Sequence, residues 1–338
     1  MNDDISTINT PSIDFPYAYG VPLTTADFRS QQEDFVVDEE LDFLPDGEGE
    51  HLLVQLRKRG DNTAWIAELL AKHFNLRQMD VGFCGLKDRH AVTSQWFSLY
   101  LPKAAPSEDA PQLQQFLDSS ESSLELLAQG RHRKKLRRGQ HKANHFRITL
   151  KNLANTVGLE ERLQQIAENG VPNYFGEQRF GRYSSNLHWA MRWFEQGETI
   201  RNRNKKVMAK SAARAYLFNL VLAKRVEQES WSQLLDDNPE SATGPLWGRG
   251  RPVVAPGLAE LEGSVLSAWQ KWLEALEHVG LQQERRALVL KPEGFNWQMS
   301  DEMLVLEFAL PPGAFATSVL RELALLNNIS AQPESVDA

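Results

Sequence analysis

The chain reads as an α+β protein, and three observations carry that reading. Period-two apolar runs gather toward both ends, a helix-rich stretch with Trp189, Trp193, Trp231, Trp247, Trp269 and Trp272 lies between them, and a segment broken by Pro172, Gly176 and Gly181 separates the two regimes. With 338 residues the chain can bury roughly three quarters of its unfolded surface, as one large domain or two ordinary ones. We expect a first domain over 1–170, an inserted helix-rich α/β domain over 171–290, and a return over 291–338 that completes the first sheet.

The elements follow in order. EDFVVDEEL holds a short strand at FVV, and PDGEGE, with Gly47 and Gly49, is turn chemistry. HLLVQLRKRG has strand character through Leu56. Asn62 is placed to cap a helix over 63–74, with Trp65, Leu69, Leu70, His73 and Phe74 on one stripe. VGFCG and AVTSQWFSLYL read as strands joined by the polar loop LKDRH. Residues 111–129 are mostly helix formers, stopping at Gly130. Phe146, Ile148 and Leu150 alternate with Arg147, Thr149 and Lys151, as a half-buried strand requires. TVGLEERLQQIAENG is an amphipathic helix ended by Gly170. Near the far end, MLVLEFALPPGAFATSVLRELALL reads as a strand, a Pro-Gly turn and a helix.

Charge is unevenly placed along the chain. The formal net charge is -8, yet residues 131–151 carry nine Lys or Arg, three His and no acid. Residues 201–214 add six more bases, whereas 33–50 hold nine acids and no base. Because salt limits electrostatic reach to about 10 Å, a phosphate partner responds to the nearest face rather than to the net sum. Arg131, Arg133, Lys134, Lys135, Arg137, Arg138 and Lys142, with Arg201, Arg203, Lys205 and Lys206, are therefore the candidate cations for a nucleic-acid phosphate backbone; a merely solvated charge run is the plainer alternative. The single cysteine, Cys84, excludes a disulfide framework. The opening MNDDISTINT is acidic where a secretion signal needs positive charge, and no apolar run approaches the roughly 20 residues needed to cross a bilayer. A cytoplasmic protein is expected.

Familiar catalytic fingerprints are missing: the sequence has no P-loop, GxGxxG, HExxH or GxSxG. A calcium loop beginning at Asp42 fails because Leu44 and Leu53 stand where oxygen ligands belong. His132, His141 and His145 sit in a cationic segment that repels a divalent metal, so no metal site is expected. The carboxylate of interest is Asp88 in GLKDRH, flanked by Lys87, Arg89 and His90, with Arg29 available to complete a positive surround. Such neighbours favour the charged form, suited to a nucleophile or base; an Asp that simply closes a turn is the structural alternative. In ANHF, Phe146 is either a base platform or a core ring, and Asn144 either reads a base edge or closes a turn.

GLKDRHAVTSQWF, PNYFGEQRFG and FATSVLREL together resemble the TruD family of tRNA pseudouridine synthases, and the likeness extends through EDFVVDEELDFLPDGEGEHLLV, KANHF and RNRNK over nearly the whole chain. The resemblance implies a pseudouridine synthase-type catalytic domain with a mixed, largely antiparallel sheet flanked by helices, plus the inserted domain. It puts the catalytic aspartate on Asp88, its basic partner on Arg29, and the stacking ring and supporting amide on Phe146 and Asn144. Ala143 departs from a common glycine and leaves the local loop conformation open. The implied reaction isomerises uridine 13 in the D arm of glutamate-type tRNA with no cofactor; a monomer with no obligate protein partner is expected, and a non-catalytic structured-RNA-binding protein is the alternative.

Overall fold

The computed structural model describes residues 11–235, 241–251 and 254–331, so the expectation about the first ten residues lies outside it. Two units emerge. One comprises 23–160, 292–313 and the chain from 324; the other comprises the chain up to 22, 161–291 and 314–323. The boundaries expected from the sequence fall at 171 and 291.

The first unit is built on a ten-stranded mixed sheet. Its main path runs Glu293–Met299, Met303–Leu310, Ala143–Lys151, Phe35–Glu40, Val92–Tyr100, His51–Arg59 and Leu124–His132. Strand Phe35–Glu40 runs parallel to Val92–Tyr100, and Thr24–Phe28 runs parallel to Ala324–Asn328; the other pairings are antiparallel. The alternation at Phe146, Ile148 and Leu150 becomes strand Ala143–Lys151, with Ile148 and Leu150 fully buried. Ala143 opens that strand opposite Glu40 in ordinary extended pairing, so no glycine is required there. Asn62 caps helix Thr63–His73 by accepting from the Trp65 amide at 2.9 Å. The buried stripe of this helix is Ile66, Ala67, Leu70 and Ala71, whereas Trp65 is exposed, so the helix is turned from the expected face. Helix and sheet meet through Leu52, Val54, Leu56, Phe97, Leu99 and Phe116.

Three segments depart from expectation. The helix formers of 111–129 yield helix Asp109–Ser119 and then strand Leu124–His132, because pairing along His51–Arg59 satisfies the backbone and overrides weak local propensity. His51–Arg59 itself continues three residues beyond Leu56. Near the chain end the helix is only Ala316–Leu320, and Ala324–Asn328 becomes a strand against Thr24–Phe28.

The second unit packs helices Ser185–Phe194, Arg203–Glu227, Pro256–Leu266 and Gln270–Glu277 around Tyr216, Phe218, Trp269 and Trp272. A two-stranded ribbon, Thr243–Leu246 with Glu284–Ala287, lies beside them. None of the described helices is long and apolar enough to cross a membrane.

The acidic turn folds back onto the end of strand Leu124–His132. At Gly49, with φ +119°, a Cβ would stand 2.4 Å from the His132 carbonyl oxygen. Gly49→Ala should therefore destabilise the protein by about 1–3 kcal/mol, read as a lower midpoint in urea unfolding with an unchanged slope.

Candidate active site

Asp88 lies in the connection between strands Val81–Phe83 and Val92–Tyr100. The loop is pinned at several points. The Lys87 amide donates to Thr63 Oγ1 at 2.8 Å, Thr63 Oγ1 donates to Gln95 Oε1 at 2.7 Å, and Arg89 Nε donates to the Gly60 carbonyl at 2.9 Å. Lys87 Nζ reaches Glu39 Oε2 at 2.6 Å in a pair whose side chains are 6% and 0% exposed. Asp88 Oδ1 accepts from the His90 amide at 3.0 Å, the local turn contact that Asp commonly makes.

The other carboxylate oxygen, Oδ2, meets Arg29 Nη1 at 2.8 Å. Arg29 follows strand Thr24–Phe28 in the left-handed region at φ 58°, and its guanidinium covers the Phe35 ring at 4.3 Å and the Phe28 ring at 4.7 Å. Such cation–π contacts are worth about 0.5–2 kcal/mol each and fix where the cation stands. Burial pushes Arg29 down from its usual range, opposed by the charge and hydrogen bond of Asp88. Asp88 itself is about a third exposed, at 36% of its side-chain surface. A carboxylate open to solvent on one side and braced by a guanidinium on the other can meet a substrate atom without moving.

The positive surround is not the one expected from the motif. Lys87 turns away to Glu39 and Arg89 to a carbonyl. In their place stands Lys58, fully buried, whose Nζ donates to the carbonyls of Asp61 and, at 3.4 Å, Asp88. The residue-by-residue reading missed it, although Lys58 falls on the Leu52, Val54 and Leu56 register of its strand, where a lysine breaks an otherwise apolar row.

Phe146 and Asn144 sit two residues apart and so share a sheet face. Phe146 is half-buried, stacked on Phe308 at 5.5 Å and tilted against Phe35 at 6.0 Å, so a row of rings links it to the Arg29 guanidinium. Asn144 Nδ2 donates to His141 Nε2 at 3.0 Å, and its Oδ1 is buried with no protein partner. Burial and the nearby Lys87 push His141 down, consistent with a neutral ring accepting that bond.

The basic block is partly neutralised by the acidic one. Arg131 is 5% exposed and paired with Asp109 at 2.6 Å through Nε, which removes it from any RNA-binding face. Arg133 pairs with Glu48, Lys142 with Glu40, and Lys135 Nζ donates to the Met79 carbonyl. Lys134, Arg137 and Arg138 remain exposed, with Arg138 over the Phe83 ring at 4.1 Å. In the second unit, Arg201, Arg203, Lys205 and Lys206 are exposed at the start of helix Arg203–Glu227, with Lys205 and Lys206 over Trp189 and Trp193.

In the first unit a braced carboxylate is joined through Arg29 and Phe35 to a half-buried ring, an arrangement that suits a flat ligand carrying a sugar. The family model for tRNA pseudouridine synthase D (TruD) matches residues 15–202 and 229–323, and the chain belongs to that family. It is 48% identical over 322 residues to the tRNA pseudouridine synthase D of Cellvibrio japonicus, covering 94% of each chain. It is 46% identical over 336 residues to that of Aeromonas hydrophila, covering 91% of this chain and 93% of the other. A solved structure from Methanosarcina mazei assigned to tRNA pseudouridine synthase D shares the fold, with TM-score 0.63, 22% identity, and coverage of 94% of this chain and 96% of that one.

Lys58 supplies a pH test. Burial pushes its ammonium from 10.5 down to about 8, opposed by Asp61 and Asp88. Between those values the unfolded chain holds a proton that the folded chain has released, so this group's contribution to stability rises with pH. Urea unfolding of wild type and Lys58→Met across that window should show the difference shifting in favour of wild type as pH rises; parallel curves would remove Lys58 from the balance.

Proposed function

We propose that the chain isomerises uridine to pseudouridine in tRNA, at position 13 of the D arm in glutamate-type tRNA, with Asp88 as the catalytic carboxylate. The observation that carries the reading is the Arg29–Asp88 pair at 2.8 Å in a family of tRNA pseudouridine synthases. The reaction breaks the N1–C1′ bond and rejoins the base through C5, so composition is unchanged and no cofactor is consumed. Asp88 either attacks C1′ or takes the 2′ proton to give a glycal, and Arg29 holds the carboxylate in place for either route.

The target uridine must leave its stack, at a cost of a few kcal/mol. Phe146 offers a replacement ring, worth about 1–3 kcal/mol, already fixed by Phe308 and Phe35. Asn144, with an unpartnered buried Oδ1, is the supporting amide. Exposed cations hold the phosphates and orient the RNA without reading its sequence. We place the enzyme in the cytoplasm, acting as a monomer.

Asp88→Asn should bind tRNA within a few-fold of wild type and form no pseudouridine, measured by site-resolved mapping of tRNA treated with each protein. Product from the variant would move catalysis elsewhere; a wild type that binds tRNA and never modifies it would favour a non-catalytic RNA-binding protein. Neutralising Lys134, Arg137 and Arg138 together should reduce the salt slope of tRNA binding by about 3, and an unchanged slope would move the phosphate path to other residues.

A further inference from the structure

PNYFGEQRFG and FATSVLREL carry the family resemblance and belong to the second unit, whereas the loop of Asp88 belongs to the first. In the second unit they surround two arginines of unusual standing. Arg286, on strand Glu284–Ala287, lies over the Phe175 ring at 4.2 Å and donates to Asn173 Oδ1 at 2.6 Å. Arg179 lies 5.5 Å from the same Phe175 ring and 5.6 Å from Phe315, and donates to Ser211 Oγ at 3.2 Å. Both are half-buried, and both Nε atoms lack a protein acceptor. Thr317 Oγ1, beside Gly176, is likewise buried without a partner, and a Cβ on Gly176 would come within 2.7 Å of it.

No carboxylate of the described residues pairs with either guanidinium. Other inward-facing arginines meet carboxylates or main-chain carbonyls: Arg131 pairs with Asp109, Arg29 with Asp88, Arg321 with Glu322, and Arg285, the neighbour of Arg286, with Glu262, while Arg162 donates to the Glu322 carbonyl and Arg225 to the carbonyls of Ser230 and Gln233. Burial lowers Arg179, and burial together with repulsion from Arg179 lowers Arg286 to about 10. Two adjacent, partly desolvated cations without an anion are costly to keep, and a guanidinium's flat fork is matched to the oxygens of a phosphate.

We propose that Arg179 and Arg286 form an anion site that takes a backbone phosphodiester of the RNA substrate, with Thr317 as an added donor. The proposal rests on the reading of the substrate as RNA. An unfilled anion site predicts a separation between stability and binding. Replacing either arginine relieves charge repulsion in the free protein, which offsets the loss of its bond to Asn173 or Ser211, and removes a phosphate contact in the complex.

Arg179→Met and Arg286→Met should each weaken tRNA binding about tenfold or more, reduce the salt slope by about 1, and leave the melting temperature unchanged or higher. Unchanged affinity and slope would overturn the proposal. So would a lower melting temperature with intact binding, which marks a purely structural pair. Inorganic phosphate, at matched ionic strength, separates the sources: if it raises the melting point of wild type alone while the variants bind tRNA normally, the site takes a free anion and the RNA assignment falls. Should a variant fail to fold, wild type treated with phenylglyoxal keeps the test open, because tRNA should shield both arginines in peptide mapping and equal modification with and without tRNA would overturn the proposal. Wild-type pseudouridine formation is scored alongside. Its absence with the binding losses present sinks the enzymatic reading and leaves the phosphate site; its presence with unchanged binding does the reverse.

Discussion

The buried pair between Lys87 and Glu39 is the constraint on which the candidate site depends. Glu39 spends one oxygen on Lys87 Nζ at 2.6 Å and the other on the Trp96 amide at 3.1 Å. One carboxylate thus ties together strand Phe35–Glu40, strand Val92–Tyr100 and the loop that carries Asp88. Charges buried this deeply are retained only when both are matched, since losing one partner typically costs about 3–5 kcal/mol. The loop is consequently held by an anchor one residue from Asp88, whose side chain faces Arg29 and solvent.

Around that anchor the protein uses its charges locally. The acidic run at 33–50 and the basic run at 131–151 look on paper like opposed fields, yet Glu40, Asp46 and Glu48 fold onto Lys142, His145, His132 and Arg133. What remains of the basic run for a partner is a smaller set of cations, set beside a sheet whose rings run from Phe28 through Phe35 to Phe146 and Phe308. In the second unit Arg285 and Arg321 meet carboxylates and Arg162 and Arg225 meet main-chain carbonyls, whereas Arg179 and Arg286 sit together on one phenylalanine ring, each with an Nε that has no protein acceptor. Pairing where rigidity is needed and leaving cations unmatched where an anion must arrive is a division of labour expected of a protein that grips RNA.

Much of the architecture was legible in advance because it is written in local periodicity. The alternation at Phe146, Ile148 and Leu150, the cap at Asn62, and the polar loop between VGFCG and AVTSQWFSLYL are all consequences of near-neighbour geometry, and each stands in the structure. Leu124–His132 was not legible, since LELLAQG favours helix in isolation and becomes a strand only when His51–Arg59 offers its hydrogen-bonding edge. The same reason hid Ala324–Asn328, whose partner lies some 300 residues earlier.

By itself the sequence determined the fold class, the carboxylate in GLKDRH and the presence of cations able to brace it. Which cation does so was decided by the tertiary structure: Arg29 meets the Asp88 carboxylate and Lys58 its main-chain carbonyl, while Lys87 and Arg89, its neighbours in the chain, face elsewhere. Strand alternation tells which side of a sheet a residue occupies, but an ion pair depends on registers set between distant strands. A residue's charge is a local property; the company that charge keeps is settled only when the sheet closes.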